Sequence, residues 1–301
     1  MPPLDIDPQI LRITAAASAH AYAQSIWHIE EEIKAASGVM EPLYDSLTPE
    51  GPYAYMVVPE VRADGSVKLP RLTLREEIVD AYNMIRGHSD LTEVIGLTEV
   101  RGTWYTFQDN VSRVRIKTDP DPVYSTQTLG LFPSGSGPGI TGELIWIRVP
   151  VESLGSPDEA NTIPTNQLLA RERVYERYER FLNGMRANDA DAVMDVLHAD
   201  VVSTVRDYVE NTGTITDLEG APAHRAYYEA FFDRCEVKEV QRLSQVTEDW
   251  YVFAELRLTV TPRHEARSYA FHTAEFWAPA KTGQFIACIG HGTDPVPWIE
   301  S

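Results

Sequence analysis

The segment EVIGLTEVRGTWYTF at Glu93–Phe107 returns later in the chain as EVQRLSQVTEDWYVF at Glu239–Phe253. The offset is 146 residues, and seven of the fifteen positions are identical. The identical pairs are Glu93/Glu239, Val94/Val240, Leu97/Leu243, Val100/Val246, Trp104/Trp250, Tyr105/Tyr251 and Phe107/Phe253. Self-similarity at a fixed offset is the signature of a repeated structural unit. The chain is therefore predicted to contain one domain twice.

The repeat extends upstream without gaps, and the boundary between the copies is also visible. Gly38 falls on Gly184, Leu72 on Leu218, and Tyr82 on Tyr228. Between the copies, the segment PVESLGSPDEANTIPT has three prolines, several turn-forming residues and no apolar period, which is typical of a linker. We expect a first domain at 1–150, a linker at 151–165 and a second domain at 166–301.

Each copy shows helical spacing first and strand-like runs afterwards. The predicted helices lie near 9–37, 73–88, 167–186, 189–198 and 220–235, and the predicted strands near 91–101, 103–117, 123–132, 141–149, 201–207, 237–246, 250–261, 267–278 and 284–291. Helices that precede an antiparallel sheet indicate an α+β fold. A long curved sheet around a helix would form a cone with one open end.

Composition narrows the classes of function. The 301 residues are 43% hydrophobic, enough for an ordinary core, and 26 Lys and Arg against 45 Asp and Glu give a net charge of −19. An acidic surface repels phosphate backbones, so we expect no nucleic-acid partner. No window reaches the ~18 consecutive apolar residues of a membrane span. The acidic, Pro-rich start MPPLDIDPQ is unlike a targeting segment. We expect a cytoplasmic protein that handles neutral or apolar molecules.

Two segments of the second copy point to a known family. ERYERFLNGMRANDAD at Glu176–Asp191 has an aromatic Arg-Tyr segment, then Leu-Asn and a small polar turn, and ADVVSTVRD at Ala199–Asp207 has a strand of Ala-Asp…Thr-Val-x-Asp type. With the order of elements, these segments resemble the NTF2-like superfamily, which includes ketosteroid isomerases, SnoaL-type polyketide cyclases, scytalone dehydratase and limonene epoxide hydrolase. The resemblance implies two tandem cone-shaped α+β barrels. It also implies dimer-like pairing of the two copies within one chain, with a homo-oligomer as a further option.

The resemblance also suggests which residues act. Tyr178 falls where ketosteroid isomerases carry an oxyanion-binding tyrosine, and Asp207 falls near their general-base aspartate. His272 lies on the strand of their second oxyanion-hole acid, with a register that is ambiguous by two residues, and His291 on the last strand is a further candidate. Each of the four has a structural alternative, as a core residue or a strand end. We predict Tyr178, Asp207, His272 and His291 as catalytic candidates.

Aromatic residues are candidates for substrate contact. Strand alternation places His272 on the same face as Ala270, Ala274 and Phe276. We predict Tyr227, Tyr228, Trp250 and Phe276 in the second copy, and Trp27 and His28 on the first helix of the first copy, as substrate contacts. The cluster around Tyr227 and Tyr228 is more typical of a core between helix and sheet, although one of the tyrosines could line a pocket.

The first copy keeps the scaffold but not these candidates. At the same offset Tyr178 becomes Glu32 and Asp207 becomes Val61. His28 and Glu32 are four residues apart and share a helical face. The first copy is either a degenerate structural partner, which we favour, or the holder of a different active site built on its helix.

The residues therefore predict an enzyme that moves protons on a hydrophobic, cyclic or aromatic molecule, by isomerisation, dehydration, cyclisation or a lyase step. We expect no organic cofactor and no metal, since His272 and Glu275 point to opposite faces of their strand and Cys235 and Cys288 are the only cysteines. The alternatives are a carrier that binds a small molecule without turnover and an assembly module with filled cones.

Overall fold

A computed structural model describes residues 7–51, 53–56, 60–61, 67–68, 71–148, 167–206, 215–280, 282–294 and 296–297. The chain divides into two compact units, Met1–Pro59 with Pro70–Thr162, and Glu60–Leu69 with Ile163–Ser301. The predicted linker at 151–165 lies outside the described residues.

The first unit begins with helices and continues into a six-stranded mixed sheet. Its elements are α1 Pro8–Lys34, a 3-10 turn Ala35–Ser37, α2 Glu41–Asp45, β1 Ala54–Met56, β4 Arg71–Leu72, α3 Arg75–His88, β5 Ser89–Arg101, β6 Tyr105–Ile116, β7 Asp119–Pro133 and β8 Gly142–Ile147; the hairpin β2 Glu60–Val61 and β3 Val67–Lys68 lies between β1 and β4 in sequence. The strand order is β4-β1-β8-β7-β6-β5, with β1 and β8 parallel.

The second unit repeats this plan. Its elements are α4 Gln167–Ala187, α5 Ala190–Met194, β9 Leu197–Arg206, β10 Ile215–Glu219, α6 Gly220–Arg234, β11 Cys235–Thr247, β12 Val252–Pro262, β13 Tyr269–Pro279, β14 Phe285–Gly292 and β15 Val296–Pro297. The strand order is β10-β9-β14-β13-β12-β11, with β9 and β14 parallel and β15 paired with β13. The predicted α+β class is confirmed, with helices and a sheet in each of two units.

The hairpins of the two units pair in the same register. Val100 lies opposite Phe107 in the first unit, and Val246 lies opposite Phe253 in the second, at the offset of 146 residues. Both hairpins also shift register at matching places, around Leu97 and around Leu243. A bulge bends a strand at a chosen point. The repeated sequence therefore encodes the same curvature twice.

Local signals set the helix ends. Pro8 opens α1, and the side chain of Asp7 accepts a hydrogen bond from the backbone N–H of Gln9 at 2.8 Å. Asp189 caps α5 in the same way, accepting from the N–H of Ala192 at 3.0 Å. That helix stops at Met194 rather than at the predicted residue 198, because Leu197 already starts β9. The short elements α2, β1, β4 and β10 were not predicted.

Each unit buries its own core between helices and sheet. In the second unit Tyr178 and Phe181 of α4 pack with Trp277 of β13 and Phe285 of β14, with the rings of Phe181 and Trp277 4.4 Å apart. In the first unit Ile29 of α1, Leu43 of α2 and Ile78 and Tyr82 of α3 form the corresponding cluster. In each unit the core side chains do not fill all of the space between helices and sheet, and a cavity remains.

Candidate functional site

A cavity of about 80 Å³ lies in the second unit, between α4, α6 and the strands β11 to β14. Its lining is mainly apolar, and includes Phe181 and Met185 from α4 and Leu256 and Leu258 from β12. Tyr227 and Tyr228 line it from α6, as predicted for a substrate pocket. A concave, mainly apolar lining of this kind is typical of sites for small neutral ligands.

The cavity contains one carboxyl among its described lining residues, Glu275 of β13. Residues 271, 273, 275 and 277 of this strand face the cavity because side chains alternate along a strand. The hydroxyl of Tyr178 donates to Oε1 of Glu275 at 3.0 Å, and the indole N–H of Trp277 donates to the same oxygen at 2.9 Å. Both donors use Oε1 of the carboxyl.

Burial determines how this carboxyl ionises. Burial raises the pKa of Glu275, and the hydrogen bonds from Trp277 and Tyr178 offset only part of the shift. Burial and the nearby carboxyl of Glu275 raise the pKa of Tyr178 well above its usual range, so the phenol keeps its proton and remains a donor. A carboxyl moved toward neutrality and held by fixed donors is suited to general acid–base chemistry.

The predicted catalytic residues are not all brought together. Tyr178 reaches the site through Glu275, and His291 of β14 lines the cavity. His272 is wrong as a pocket residue: its face of β13 points away from the cavity, and its Nδ1 lies 3.4 Å from Oε1 of Glu255. Asp207 lies outside the described residues.

Two predicted aromatic contacts of the second unit are also wrong. Phe276 is buried on the same face of β13 as His272, opposite the cavity. Trp250 precedes β12 and packs its ring against Tyr251, with ring centroids 5.2 Å apart. Strand alternation correctly groups His272 with Phe276 on one face of β13, but the opposite face lines the cavity. The pattern alone does not identify the inner face, because both faces of this strand are apolar.

The second unit also holds a buried histidine that the sequence analysis missed. The Nδ1–H of His224 in α6 donates to the carbonyl of Gly220 at 2.8 Å, and its Nε2 accepts from the hydroxyl of Ser203 at 2.7 Å. Burial lowers the pKa of His224, with the hydrogen bond to Gly220 opposing the shift. Both ring nitrogens are used, so we interpret His224 as a structural histidine.

A larger cavity, about 190 Å³, lies in the first unit. Its apolar lining comes from α3 and from strands β5 to β8. It also includes the half-buried Glu32 and the buried charged and phenolic residues Arg86, Glu143, Tyr55 and Tyr82. The guanidinium of Arg86 donates to Oε1 of Glu32 at 2.6 Å. The favoured prediction of a degenerate first copy does not anticipate such a cluster of buried polar groups.

His28 joins the same cluster from behind the lining. Its ring is fully buried, with Nδ1 2.7 Å from Oγ of Ser46 and Nε2 3.0 Å from the hydroxyl of Tyr82. The Tyr82 hydroxyl in turn donates to Oε2 of Glu143. His28 was predicted as a substrate contact; it is not among the lining residues and reaches the cavity through Tyr82 and Glu143. Trp27 is half-buried and is not among the lining residues, so its prediction as a pocket residue is wrong.

The pKa values of the two carboxyls in this cavity, Glu32 and Glu143, shift in opposite directions. Burial, reinforced by the charge of Glu143, raises the pKa of Glu32 despite Arg86 and His28. Burial also acts to raise the pKa of Glu143, but the hydrogen bond and charge of His28, together with the hydrogen bond from Tyr82, lower it overall. Such a divergence separates an acid role from a base role.

His28, Glu32 and Glu143 each offer one ligand atom, and these atoms lie within 4.8 Å of one another. This donor set could hold a divalent cation. Arg86 already pairs with Glu32, however, and His28 and Tyr82 already contact Glu143. The absence of a metal stays a prediction.

Strand pairing shows that Glu143 of the first cavity and Glu275 of the second lie at different positions of the repeated sheet. Gly130 of β7 lies opposite Ile145, and its counterpart Glu275 lies opposite Gly290. A Cβ at Gly130 would lie 2.7 Å from the ring of Phe132, so a side chain there would require that ring to move. The same pairings place Glu143 where the second unit has Cys288. The two cavities therefore offer different chemistry on one scaffold.

Comparison with known proteins agrees with the fold. Residues 178–286 match the family model described as a SnoaL-like domain. The second unit therefore carries a SnoaL-like domain, as the resemblance predicted. No curated protein matches the chain.

Several solved structures share part of this architecture. An LEH-like epoxide hydrolase of M. tuberculosis is 17% identical, with 41% of this chain and 84% of that chain covered and a TM-score of 0.34. An NTF2-like protein of Burkholderia xenovorans is 11% identical, with coverage of 41% and 91% and a TM-score of 0.35. SalBIII, an epoxide hydrolase/cyclase-like enzyme of pyran ring formation in the polyether salinomycin, is 15% identical, with coverage of 42% and 97% and a TM-score of 0.35.

Among the described residues, no helix combines the length and the apolar character that crossing a membrane would need.

Proposed function

We propose that the chain is a cofactor-independent acid–base enzyme that acts on a hydrophobic, cyclic or aromatic small molecule in the cavity of the second unit. The observation that carries the proposal is the position of Glu275, a buried carboxyl that lines an apolar cavity and is held at one oxygen by Tyr178 and Trp277. The match of residues 178–286 to the SnoaL-like family supports it.

The geometry suggests how protons would move. The carboxylate of Glu275 would accept a proton from a C–H or O–H bond of the substrate, and the bonding electrons would remain on the substrate. Burial raises the pKa of Glu275, which favours holding the proton until it is returned to a second substrate atom. His291 and the phenols of Tyr227 and Tyr228 line the same cavity and could donate to the substrate oxygen that gains charge. Return of the proton elsewhere gives an isomerisation, and loss of a leaving group gives a dehydration or lyase step.

The lining and the charge of the chain favour a neutral substrate. The cavity has a mainly apolar wall, and the net charge of −19 disfavours phosphorylated molecules and nucleic acid. A polyanion would also meet the buried carboxyl of Glu275 without a neighbouring cation in the lining described above. The substrate class we propose is a ring compound with a single carbonyl, hydroxyl or epoxide oxygen.

The test is a panel of cyclic ketones, phenols and terpene epoxides, incubated with the chain and analysed by mass spectrometry. We expect one class to be converted, and Glu275→Gln to lower its turnover by ~10²-fold or more. The matched control is Glu255→Gln on the neighbouring strand β12, a carboxyl that contacts His272 rather than the cavity. Unchanged turnover in Glu275→Gln would overturn the assignment. A compound that stabilises the chain and is recovered unchanged would favour a carrier instead.

A further inference from the structure

The buried groups behind the first cavity form a continuous chain of hydrogen bonds. The hydroxyl of Ser46 donates its proton to the carbonyl of Leu43 at 2.6 Å. A serine hydroxyl has a single proton. Nδ1 of His28, 2.7 Å from the same oxygen, must therefore carry a proton and donate it to Ser46. The tautomer of His28 is fixed at this end by proton counting.

The other end of the imidazole can be arranged in two ways. Nε2 of His28 lies 3.0 Å from the Tyr82 hydroxyl and 3.5 Å from Oε2 of Glu143. In one arrangement Nε2–H donates to Tyr82 and Tyr82 donates to ionised Glu143. In the other arrangement neutral Glu143 donates to Tyr82 and Tyr82 donates to Nε2. The two differ only by a concerted shift of two protons, and neither leaves a donor unmatched.

The chain ends at the cavity. Tyr82 and Glu143 line it, whereas His28 lies behind them. The contacts to His28 and Tyr82 use Oε2 of Glu143, so Oε1 is the oxygen placed to meet a ligand. Burial and the charge of Glu143 raise the pKa of Tyr82 well above its usual range, so Tyr82 passes protons on without becoming a phenolate.

Two buried polar atoms in the same cavity point to a ligand. The hydroxyl of Tyr55 and Oδ1 of Asn110 have no hydrogen-bond partner among the described residues, and the two residues are only 3% and 5% exposed. Both residues line the cavity. A buried polar atom without a partner costs ~1–3 kcal/mol, so such atoms are usually satisfied by something bound. Tyr55 pairs in register with Glu143, so its unmatched hydroxyl belongs to the catalytic end.

The spacing of these atoms suggests the form of the ligand. Asn110 lies opposite Thr128, and Thr128 lies opposite Ile147, four residues along β8 from Glu143. At ~3.3 Å per residue the backbone positions of the two ends are offset by about 13 Å along the strands. The lining between them combines apolar side chains, such as Ile145 on β8, with the hydroxyl residue Thr128. A ligand that satisfies both ends has an apolar ring body and carries oxygen or nitrogen at each end.

We propose that the first unit holds a second acid–base site, in which His28, Tyr82 and Glu143 relay a proton to and from such a ligand. Oε1 of Glu143 takes a proton from a C–H bond beside a carbonyl, and the electron pair stays on the ligand as an enolate. Arg86 and His28 supply the neighbouring positive charge. Glu143 then returns the proton to another atom, so the step balances without a co-reactant. Tyr82 and Glu143 would touch the reacting groups, and His28 is a positioning residue that acts through Tyr82.

The probe is 6-hydroxy-2-tetralone, a bicyclic ketone with acidic C–H bonds beside its carbonyl and a hydroxyl on the far ring. Its exchange of these hydrogens for deuterium in D₂O can be followed by NMR with the full chain. The variants are Glu143→Gln, Glu275→Gln, both together, and the control Glu30→Gln, an exposed carboxyl of α1. Because Gln keeps the shape of Glu and can still accept from Tyr82, we expect all four to fold, as circular dichroism would show.

We expect Glu275→Gln to retain exchange at least tenfold above the double variant, and Glu143→Gln to remove that remainder. This outcome is independent of the role of Glu275, so the two proposals fail separately. Exchange in Glu275→Gln no faster than in the double variant overturns a second site, as does wild-type exchange no faster than the double variant.

The relay itself needs a readout that a purely structural role would not change. In the Glu275→Gln background, Tyr82→Phe should lower the exchange rate at saturation about tenfold with little change in KM. His28→Gln should have a similar effect, and the two together should be no worse than either alone, since both interrupt one chain. Additive losses, or losses confined to KM, would contradict the relay.

Discussion

The hydroxyl of Tyr178 on α4 donates to Oε1 of Glu275 on β13 across 3.0 Å, and joins two elements that are 97 residues apart in sequence. The ring of Tyr178 is fully buried and also packs against Phe181 and Trp277. This contact orients the carboxyl that we propose as catalytic, and it belongs to the core at the same time. Tyr178 therefore links the candidate site of the second unit to its core, since the ring packs in the core and the hydroxyl holds Glu275.

Tyr178→Phe should separate these two roles. The ring and its packing remain, but Glu275 loses one of its two donors and relies on Trp277. We expect the free energy of unfolding to fall by about 1 kcal/mol, the usual net contribution of one hydrogen bond. We expect turnover to fall by about tenfold while KM changes little, because Tyr178 orients the carboxyl rather than lining the cavity. Steady-state kinetics with urea unfolding would check this, and a loss confined to KM would contradict it.

Glu275 should also make stability depend on pH in a defined direction. Burial raises its pKa in the folded chain above the ordinary value of 4.5. The folded state then binds more protons than the unfolded state, so wild-type stability falls as pH rises through this window. Glu275→Gln removes the titration, and we expect the variant to gain stability relative to wild type between pH 4 and pH 8. Urea midpoints that keep a constant difference over this range would refute the raised pKa.

His224 should give stability the opposite pH dependence, with stability lost as the pH falls. Burial lowers its pKa in the folded chain below the ordinary value of 6.5. The unfolded chain binds the extra proton, so the contribution of neutral His224 is complete above that value and is lost as pH falls.

His224→Gln should therefore cost stability at pH 8 and cost progressively less toward pH 5. The matched control is His264→Gln, whose side chain is 78% exposed and should show no such trend. Thermal unfolding at stepped pH would measure both, and parallel curves for the two variants would rule out the role given to His224.

Much of the fold could be predicted from sequence because the repeat covers the part that curves. Leu97 and Leu243 are aligned in the repeat, and both lie at bulges that bend their hairpins. The short strands β1 and β4 could not be found in this way. They have three and two residues, too few for a period-2 pattern to stand out, and they depend on β8 for pairing.

The candidate sites were predicted only in part. The four-residue spacing of His28 and Glu32 correctly places both at one buried network on α1. Glu275 was considered only as a partner of His272, although a single carboxyl within the apolar run AFHTAEFWAP was a usable signal. Glu143 in GELIWI carried the same signal. Alternation assigns residues to two faces, but it does not say which face is inner when both are apolar.

The last prediction concerns one aligned position, which is polar in the first cavity and apolar in the second. Asn110 lines the first cavity and its counterpart at the offset of 146, Leu256, lines the second. Oδ1 of Asn110 lacks a partner among the described residues, although its amide N–H donates to Gln108 at 3.2 Å. Asn110→Leu removes a buried unmatched acceptor, so we expect stability to change little or to rise by up to about 1 kcal/mol.

The reciprocal variant Leu256→Asn should cost ~1–3 kcal/mol, because it buries an amide among apolar groups without a partner. Ligand protection should change in the same variants: Asn110→Leu should weaken stabilisation by a first-cavity ligand with oxygen at both ends, such as 6-hydroxy-2-tetralone, in the Glu275→Gln background. Urea unfolding with and without 6-hydroxy-2-tetralone measures both effects. Equal destabilisation by the two variants would mean that Asn110 is already satisfied within the fold, and the polar rim of the first cavity would then no longer indicate a ligand.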